Sequence, residues 1–295
     1  MAKIFGIGNA TFDIVLTVDG YPRENDEIRC RDRSFRRGGN VANTLVVLRQ
    51  LGHSCSWAGT LADTVEGRFI RDDLQAHGVD TGACRIAGSG CVPTSTIVLN
   101  ERTGSRTIIH YRNLPEYSFE DFRALELGSF DWLHFEGRNV SSLRSMLHWS
   151  RERYPCTPRS LEVEKPRPGI EGLFDQVRVL LFSQSYAESQ GYARPGQLLR
   201  AVHEKYPGID LFCAWGAEGA VSMDGEGRIT SRAAHTPSRV VDTLGAGDCF
   251  NAGVIAGYLA GGDNVAVLHQ ACFLAGEKCG QIGFDGLARR VLKKS

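Results

Sequence analysis

The sequence predicts an α/β protein, with a mostly parallel central sheet flanked by helices and a small β sheet beside it. Three observations carry that reading. Short apolar runs alternate with helix-length segments over most of the 295 residues, as strands covered on both faces do. Two stretches break this alternation with a period of two, the pattern of half-exposed antiparallel strands. The composition, 42% hydrophobic and 23% charged, is that of a globular chain able to bury a sizeable core.

Taken in order, residues 3–8 read as a strand entering the core, 40–51 as a helix, 55–59 as a strand and 65–77 as a helix. Further apolar strands follow at 131–135, 160–163, 177–182 and 210–214, with helices at 142–153 and 197–203 between them. Helices over 246–259 and 264–279 close the pattern. The interruptions are extended segments at 12–18 and 27–35 around Tyr21-Pro22, and a hairpin-like pair at 94–100 and 106–111 around Thr103-Gly104. Ile28-Arg29-Cys30-Arg31 and Arg106-Thr107-Ile108-Ile109 show the alternation. The expected organisation is an α/β body from 1–11, 37–91 and 115–295, with a β lid from 12–36 and 92–114. A small sheet beside a large one suits a lid, and its open edge would benefit from pairing.

Lys plus Arg and Asp plus Glu number 34 each, so the formal charge is zero. That balance gives no reason to expect nucleic acid or a membrane surface as partner. The start, Met1-Ala2-Lys3-Ile4-Phe5-Gly6-Ile7-Gly8, is too short and too glycine-interrupted for a signal peptide, and no run approaches the ~18 apolar residues that span a bilayer. Nine scattered cysteines form no Cys-x-x-Cys and no metal-ligand spacing. They read as reduced thiols of a cytoplasmic protein without a structural metal.

The strongest chemical signal is Asp242-Thr243-Leu244-Gly245-Ala246-Gly247-Asp248 before the helix at 246–259. Small residues there let successive backbone N–H groups converge on an anion, and the helix dipole adds to the attraction. Asp248, in the first turn, is positioned to take a proton from a hydroxyl attacking a bound phosphoryl group. Phosphoryl transfer tolerates a weak base, since its loose transition state demands little early proton removal. The same residues also fit a tight turn with a capping carboxylate. A second signal is Arg36-Arg37-Gly38-Gly39-Asn40-Val41-Ala42-Asn43. Asn40 and Asn43, three apart, share a helix face, and two amides suit vicinal hydroxyls; an Asn cap with a surface Asn fits equally. Asp13, between apolar strand residues, either pairs with a cation or accepts ligand hydroxyls, because an unpartnered buried charge is expensive.

Together these motifs resemble the ribokinase-type (PfkB) carbohydrate kinase family. Tyr21-Pro22, Glu27-Ile28-Arg29-Cys30, Arg106-Thr107-Ile108 and His134-Phe135-Glu136-Gly137-Arg138-Asn139 point within it to the ketohexokinase branch. So do Glu162-Val163-Glu164-Lys165-Pro166-Arg167, Cys213-Ala214-Trp215 and Gly283-Phe284-Asp285-Gly286. The resemblance implies a Rossmann-like body, a β lid that serves in homodimerisation, and ATP-dependent phosphorylation of a ketose, D-fructose to fructose 1-phosphate. It implies Asp248 as base and Gly245, Ala246 and Gly247 as the anion hole. Asp13, Gly39, Asn40 and Asn43 would hold sugar hydroxyls, and Arg106 would approach the sugar or the phosphoryl group. ATP would lie near Trp215, Glu218, Gly219 and Cys279, with Mg2+ bound mostly through phosphates and K+ near Asp242. Two departures stand out: where many members carry Asn-x-x-Glu, this chain has Ser183-Gln184-Ser185-Tyr186 with Glu188 beyond, and Cys249 stands where Thr is common.

Rival readings are weaker. Gly6-Ile7-Gly8-Asn9-Ala10-Thr11 lacks the third glycine and the acidic strand end of a dinucleotide site. Arg29, Arg31 and Arg33 alternate as a solvated face, or as a grip on a sugar phosphate such as fructose 6-phosphate or tagatose 6-phosphate. Ribose is another acceptor to consider. A non-catalytic sugar-binding regulator would be expected to lose the base or the anion hole, and both are present.

Overall fold

A computed structural model describes residues 1–288 of the chain. Its elements begin β1 (Lys3–Ile7), β2 (Thr11–Val18), β3 (Asp32–Gly38), α1 (Asn40–Gln50), β4 (Ser54–Ala58), β5 (Thr60–Ala62), α2 (Val65–Ala76) and β6 (Arg85–Ala87). They continue with β7 (Thr94–Asn100), β8 (Arg106–Tyr111), α3 (Phe119–Arg123), β9 (Trp132–Glu136), α4 (Val140–Arg153), β10 (Arg159–Val163), β11 (Val179–Phe182) and α5 (Gln184–Ser189). The last are α6 (Pro195–Lys205), β12 (Asp210–Ala214), β13 (Ala220–Met223), β14 (Ile229–Arg232), α7 (Ala246–Leu259) and α8 (Asn264–Cys279).

The main sheet has eight strands in the order β14-β13-β12-β11-β10-β9-β1-β4. From β12 to β4 every pairing is parallel, and β13 and β14 add an antiparallel edge. Side chains of the central strands divide between two cores, as the strand period of two requires. Ile4, Trp132, Val179, Leu181 and Phe212 meet α1, α7 and α8 on one face. Phe5, Ile7, Leu133, Phe135, Leu180, Phe182 and Leu211 meet α4 and α6 on the other. Helix α7 is buried along ten consecutive residues, Asp248 to Gly257, which is why its sequence shows no polar face. A Cβ at Gly253 would stand 2.6 Å from Ala271 Cα, so only glycine lets α8 lie this close.

The second sheet has four strands in the order β3-β2-β7-β8. The β7–β8 pair follows the expected hairpin, turning through Gly104 at φ 69°. The other lid strand differs from expectation: it runs over Asp32–Gly38, not 27–35. Residues 27–31 are exposed and bury no face, so their alternation specifies no register. Pairing begins at Asp32 opposite Thr17, and further along the strand Phe35 stacks on Phe12, ring centroids 5.3 Å apart. The edge hairpin β13–β14 and the short parallel pair β5–β6 escaped the sequence reading, being too short for a clear period.

Candidate active site

Along the main sheet the chain steps from β1 to β4, then returns to the far side of β1 at β9. Open α/β sheets bind ligands at such a switch point, beyond the carboxyl ends of the strands. A cleft of about 860 Å³ opens there, lined from the segment after β1, from the ends of β9 and β10, the N-termini of α1 and α7, and the small sheet.

At the start of α7, Gly245 is left-handed at φ 81°, and a Cβ on it would stand 2.4 Å from the Phe284 ring. At Gly247 a Cβ would meet nothing within 4 Å, so the backbone there faces open space. The helix ladder starts with Cys249 N–H donating to Gly245 C=O at 3.0 Å. Ahead of it, Ala246 N–H donates to Thr243 C=O at 3.3 Å, while the N–H groups of Gly245, Gly247 and Asp248 meet no acceptor among the described residues. These orphan donors, at the positive end of a helix dipole, form a cradle for an anion.

The Asp248 carboxylate lines the cleft beside this cradle. Burial raises its pKa to about 7; the Asn43 hydrogen bond opposes the rise, Glu164 and Glu136 add to it, and Arg37 counteracts. Asn43 Nδ2 donates to Asp248 Oδ2 at 2.7 Å, and Thr44 Oγ donates to the Asp248 carbonyl at 3.2 Å. The buried Arg37 donates to Asn43 Oδ1 and to Asp73. Asn43 therefore holds the carboxylate, with one amide hydrogen to spare for a ligand.

Helix α1 begins at the glycine pair because nothing else fits. A Cβ on Gly38 would lie 2.3 Å from Asp13 Oδ2, and one on Gly39, at φ 108°, would lie 2.2 Å from the Asn9 carbonyl. Asp13 thus comes to the cleft wall, where Thr11 Oγ donates to it at 2.9 Å. Burial raises its pKa, against the pull of Thr11, Ser95, His110 and Arg37. Asn40 lies opposite, donating through Nδ2 to Glu162 at 3.0 Å and Glu164 at 3.2 Å.

Sequence reading missed three further carboxylates at this site. Glu136 ends β9, and Glu162 and Glu164 lie at the end of β10. Burial lifts Glu136 to about 7, with Arg138 opposing. Glu162 is raised well above the usual carboxylate range by burial and by Asp248, Glu136 and Glu164. Their position at the carboxyl ends of two expected strands was the available signal. Arg37 was missed for another reason, since beside Arg36 it read only as surface charge.

Other expected residues stand further off. Arg106 does not line the cleft; it donates to Thr243 Oγ at 3.2 Å, tying β8 to the loop before α7. Trp215, Glu218 and Gly219 form the turn into β13, with Trp215 N–H donating to Gly219 C=O at 2.7 Å. Cys279 ends α8 and accepts the N–H groups of Val241 and Asp242. None of these four lines the cleft itself. Arg29, Arg31 and Arg33 also lie outside it, and Arg31 pairs with Asp19 and Glu101. Ser183 caps α5 by accepting from Tyr186 N–H at 2.9 Å, and Glu188 accepts from Gln184. Among the described residues no group of three or more His, Cys, Asp or Glu is set to hold a metal ion. Asp242 lines the cleft, but its surroundings do not fit a potassium ion, because Lys278 Nζ already takes its carbonyl and carboxylate oxygens.

The family model for pfkB family carbohydrate kinases matches residues 1–286. The chain belongs to that family. Among curated relatives, the family member ketohexokinase of Mus musculus is 38% identical over 293 residues, covering 97% of this chain and 98% of that protein. Ribokinase of Bacillus subtilis is 25% identical, covering 92% and 90%. Among solved structures, Arabidopsis thaliana ribokinase complexed with ribose and ATP superposes with a TM-score of 0.83 at 19% identity, covering 99% of this chain and 98% of that one. The pfkB fold is therefore that of ribokinase, and the chain is an ATP-dependent sugar kinase. No helix among the described residues is long and apolar enough to cross a membrane.

Proposed function

We propose that this kinase transfers the γ-phosphoryl group of ATP to a hydroxyl of a ketose, D-fructose at its 1-hydroxyl, with Asp248 as the general base. The observation that carries the chemistry is the meeting of a buried carboxylate, raised to about 7, with unpartnered amide donors at one helix N-terminus. The carboxylate faces the attacking alcohol. Gly245, Ala246 and Gly247 supply the amides that meet the charge on the phosphoryl group, where preorganised donors act most strongly. Ala246 contributes its N–H by giving up a long turn bond to Thr243. Asp13, Gly39, Asn40 and Asn43 surround the sugar, and Arg106 approaches from the lid once the lid closes over it. The nucleotide extends from the cradle toward Trp215, Glu218, Gly219 and Cys279, and Mg2+ carried by it would neutralise charge on its phosphates. Support for fructose comes from the 38% identity to a ketohexokinase. Two chains pair through the lid, which serves as a clasp between them.

The test is a panel of ketoses, aldoses and sugar phosphates offered with Mg-ATP, the product phosphate being located by NMR. Fructose should react fastest and yield fructose 1-phosphate. Turnover of fructose 6-phosphate or tagatose 6-phosphate alone would overturn the substrate assignment, and ribose as the best acceptor would move it toward the other relatives.

A further inference from the structure

The cation that completes the anion hole is part of the chain. Lys278, in the last turn of α8, is 0% exposed. Its Nζ donates to the Asp242 carbonyl at 2.9 Å, to Asp242 Oδ2 at 3.3 Å and to the Gln281 carbonyl at 3.3 Å. Two carbonyls and a carboxylate converging on one point are the hard oxygen donors that a monovalent metal ion takes. Here an ammonium group takes them. The Asp242 carboxylate is further committed, accepting Leu244 N–H at 2.9 Å through Oδ1 and Arg36 at 3.3 Å through Oδ2. The Lys278 ammonium also lies 5.7 Å from the centroid of the Phe284 ring, which stands where a Cβ on Gly245 would fall. One buried charge thus ties together the loop that leads into the cradle, the end of α8 and the aromatic ring that leaves no room for a side chain at Gly245.

We propose that Lys278 is a positioning residue that does the work of a bound monovalent cation, so that this kinase needs no potassium. The chemistry favours a lysine here. The ammonium arrives at a helix C-terminus, where the dipole favours positive charge. A lysine held by its own helix costs no ion-binding entropy each time the loop orders. Arg37 and Arg36 do not substitute for it. Arg37 is spent on Asn43 and Asp73, and Arg36 reaches the carboxylate but not the carbonyls.

The proposal rests on the anion-hole reading of residues 245–247, and its test separates the two. Initial rates of the full-length enzyme are measured with Mg-ATP and its best ketose, in chloride salts of potassium, sodium or tetramethylammonium at equal ionic strength. The melting temperature is followed in the same buffers. The expected result is a rate constant within about twofold across the salts, with no potassium-dependent rise in melting temperature, since only a ligand bound to the native state raises it. In Lys278→Met the side chain stops short of Nζ and leaves the three oxygens free. That variant should lose roughly 10²-fold in kcat in tetramethylammonium, the scale of disturbing an oxyanion site. Potassium or ammonium should return at least about tenfold of it and raise the melting temperature. Activation of the wild-type enzyme by potassium would overturn the proposal. So would a folded Lys278→Met enzyme that is fully active without potassium, or one that no small cation rescues. If the variant does not fold, the wild-type salt series decides alone. An enzyme that phosphorylates no sugar in any salt would instead refute the site reading, and the melting series would still decide the role of Lys278.

Discussion

As the proposed base, Asp248 meets two opposed requirements. A base must be ionised at working pH, yet a carboxylate buried beside Glu136, Glu162 and Glu164 resists ionisation. Asn43 and Arg37 restore the balance, and Asp248 stands at about 7, near the pH at which a general base is most effective. Asp248→Asn keeps the shape but removes the base, so kcat should fall by roughly 10²–10⁴-fold. Isothermal titration should show ATP binding retained, and a loss below about fivefold would reject Asp248 as base. With Asp248 as base the ionised form is the active one, so kcat/KM of wild type should rise with pH through about 7 and level off above it. Asn43→Ala withdraws the hydrogen bond that favours ionisation, so the acid limb should move to higher pH and activity at pH 7 should drop several-fold. A pH-rate series on both proteins reads this directly. An unmoved limb would make Asn43 a sugar ligand alone.

At the scale of elements, the first turns of α1 and α7 build the site, and each starts on a glycine whose conformation a side chain resists. Gly39 has φ 108° and no room for a methyl group beside the Asn9 carbonyl. Gly39→Ala should therefore cost about 1–3 kcal/mol from backbone strain, with more from displacement of α1. A urea midpoint lowered in that proportion, with reduced sugar affinity, would confirm it. Wild-type stability in the variant would show that the helix start can shift. The small sheet is joined to the loop before α7 by the Arg106–Thr243 contact.

At the scale of the whole molecule, the outer lid strand β8 is exposed at every residue, with Ile109 at 65% and Tyr111 at 58%. An open apolar edge of this kind invites a second copy. Light scattering should find a homodimer, and Ile109→Glu should shift it to monomer with the fold intact by circular dichroism. A wild-type protein that is monomeric at micromolar concentration would remove the clasp from the account. The sheet itself gives the remaining large-scale order, because eight strands in one sheet carry the ends of β1, β9 and β10 to a common edge.

The sequence by itself determined the alternation of strands and helices, the glycine-led starts of α1 and α7, and the lid hairpin at Thr94–Asn100 and Arg106–Tyr111. These are local properties, written in periodicity, turn chemistry and the conformational freedom of glycine. Tertiary structure decided what lies between distant segments. The register of β3 depends on Phe35 finding Phe12, and the carboxylate cluster exists only because β9 and β10 end side by side. Lys278 reads in sequence as one more charge near a helix end. Only folding brings it 36 residues back along the chain to Asp242, and no local pattern records a contact whose partners come together in the folded core.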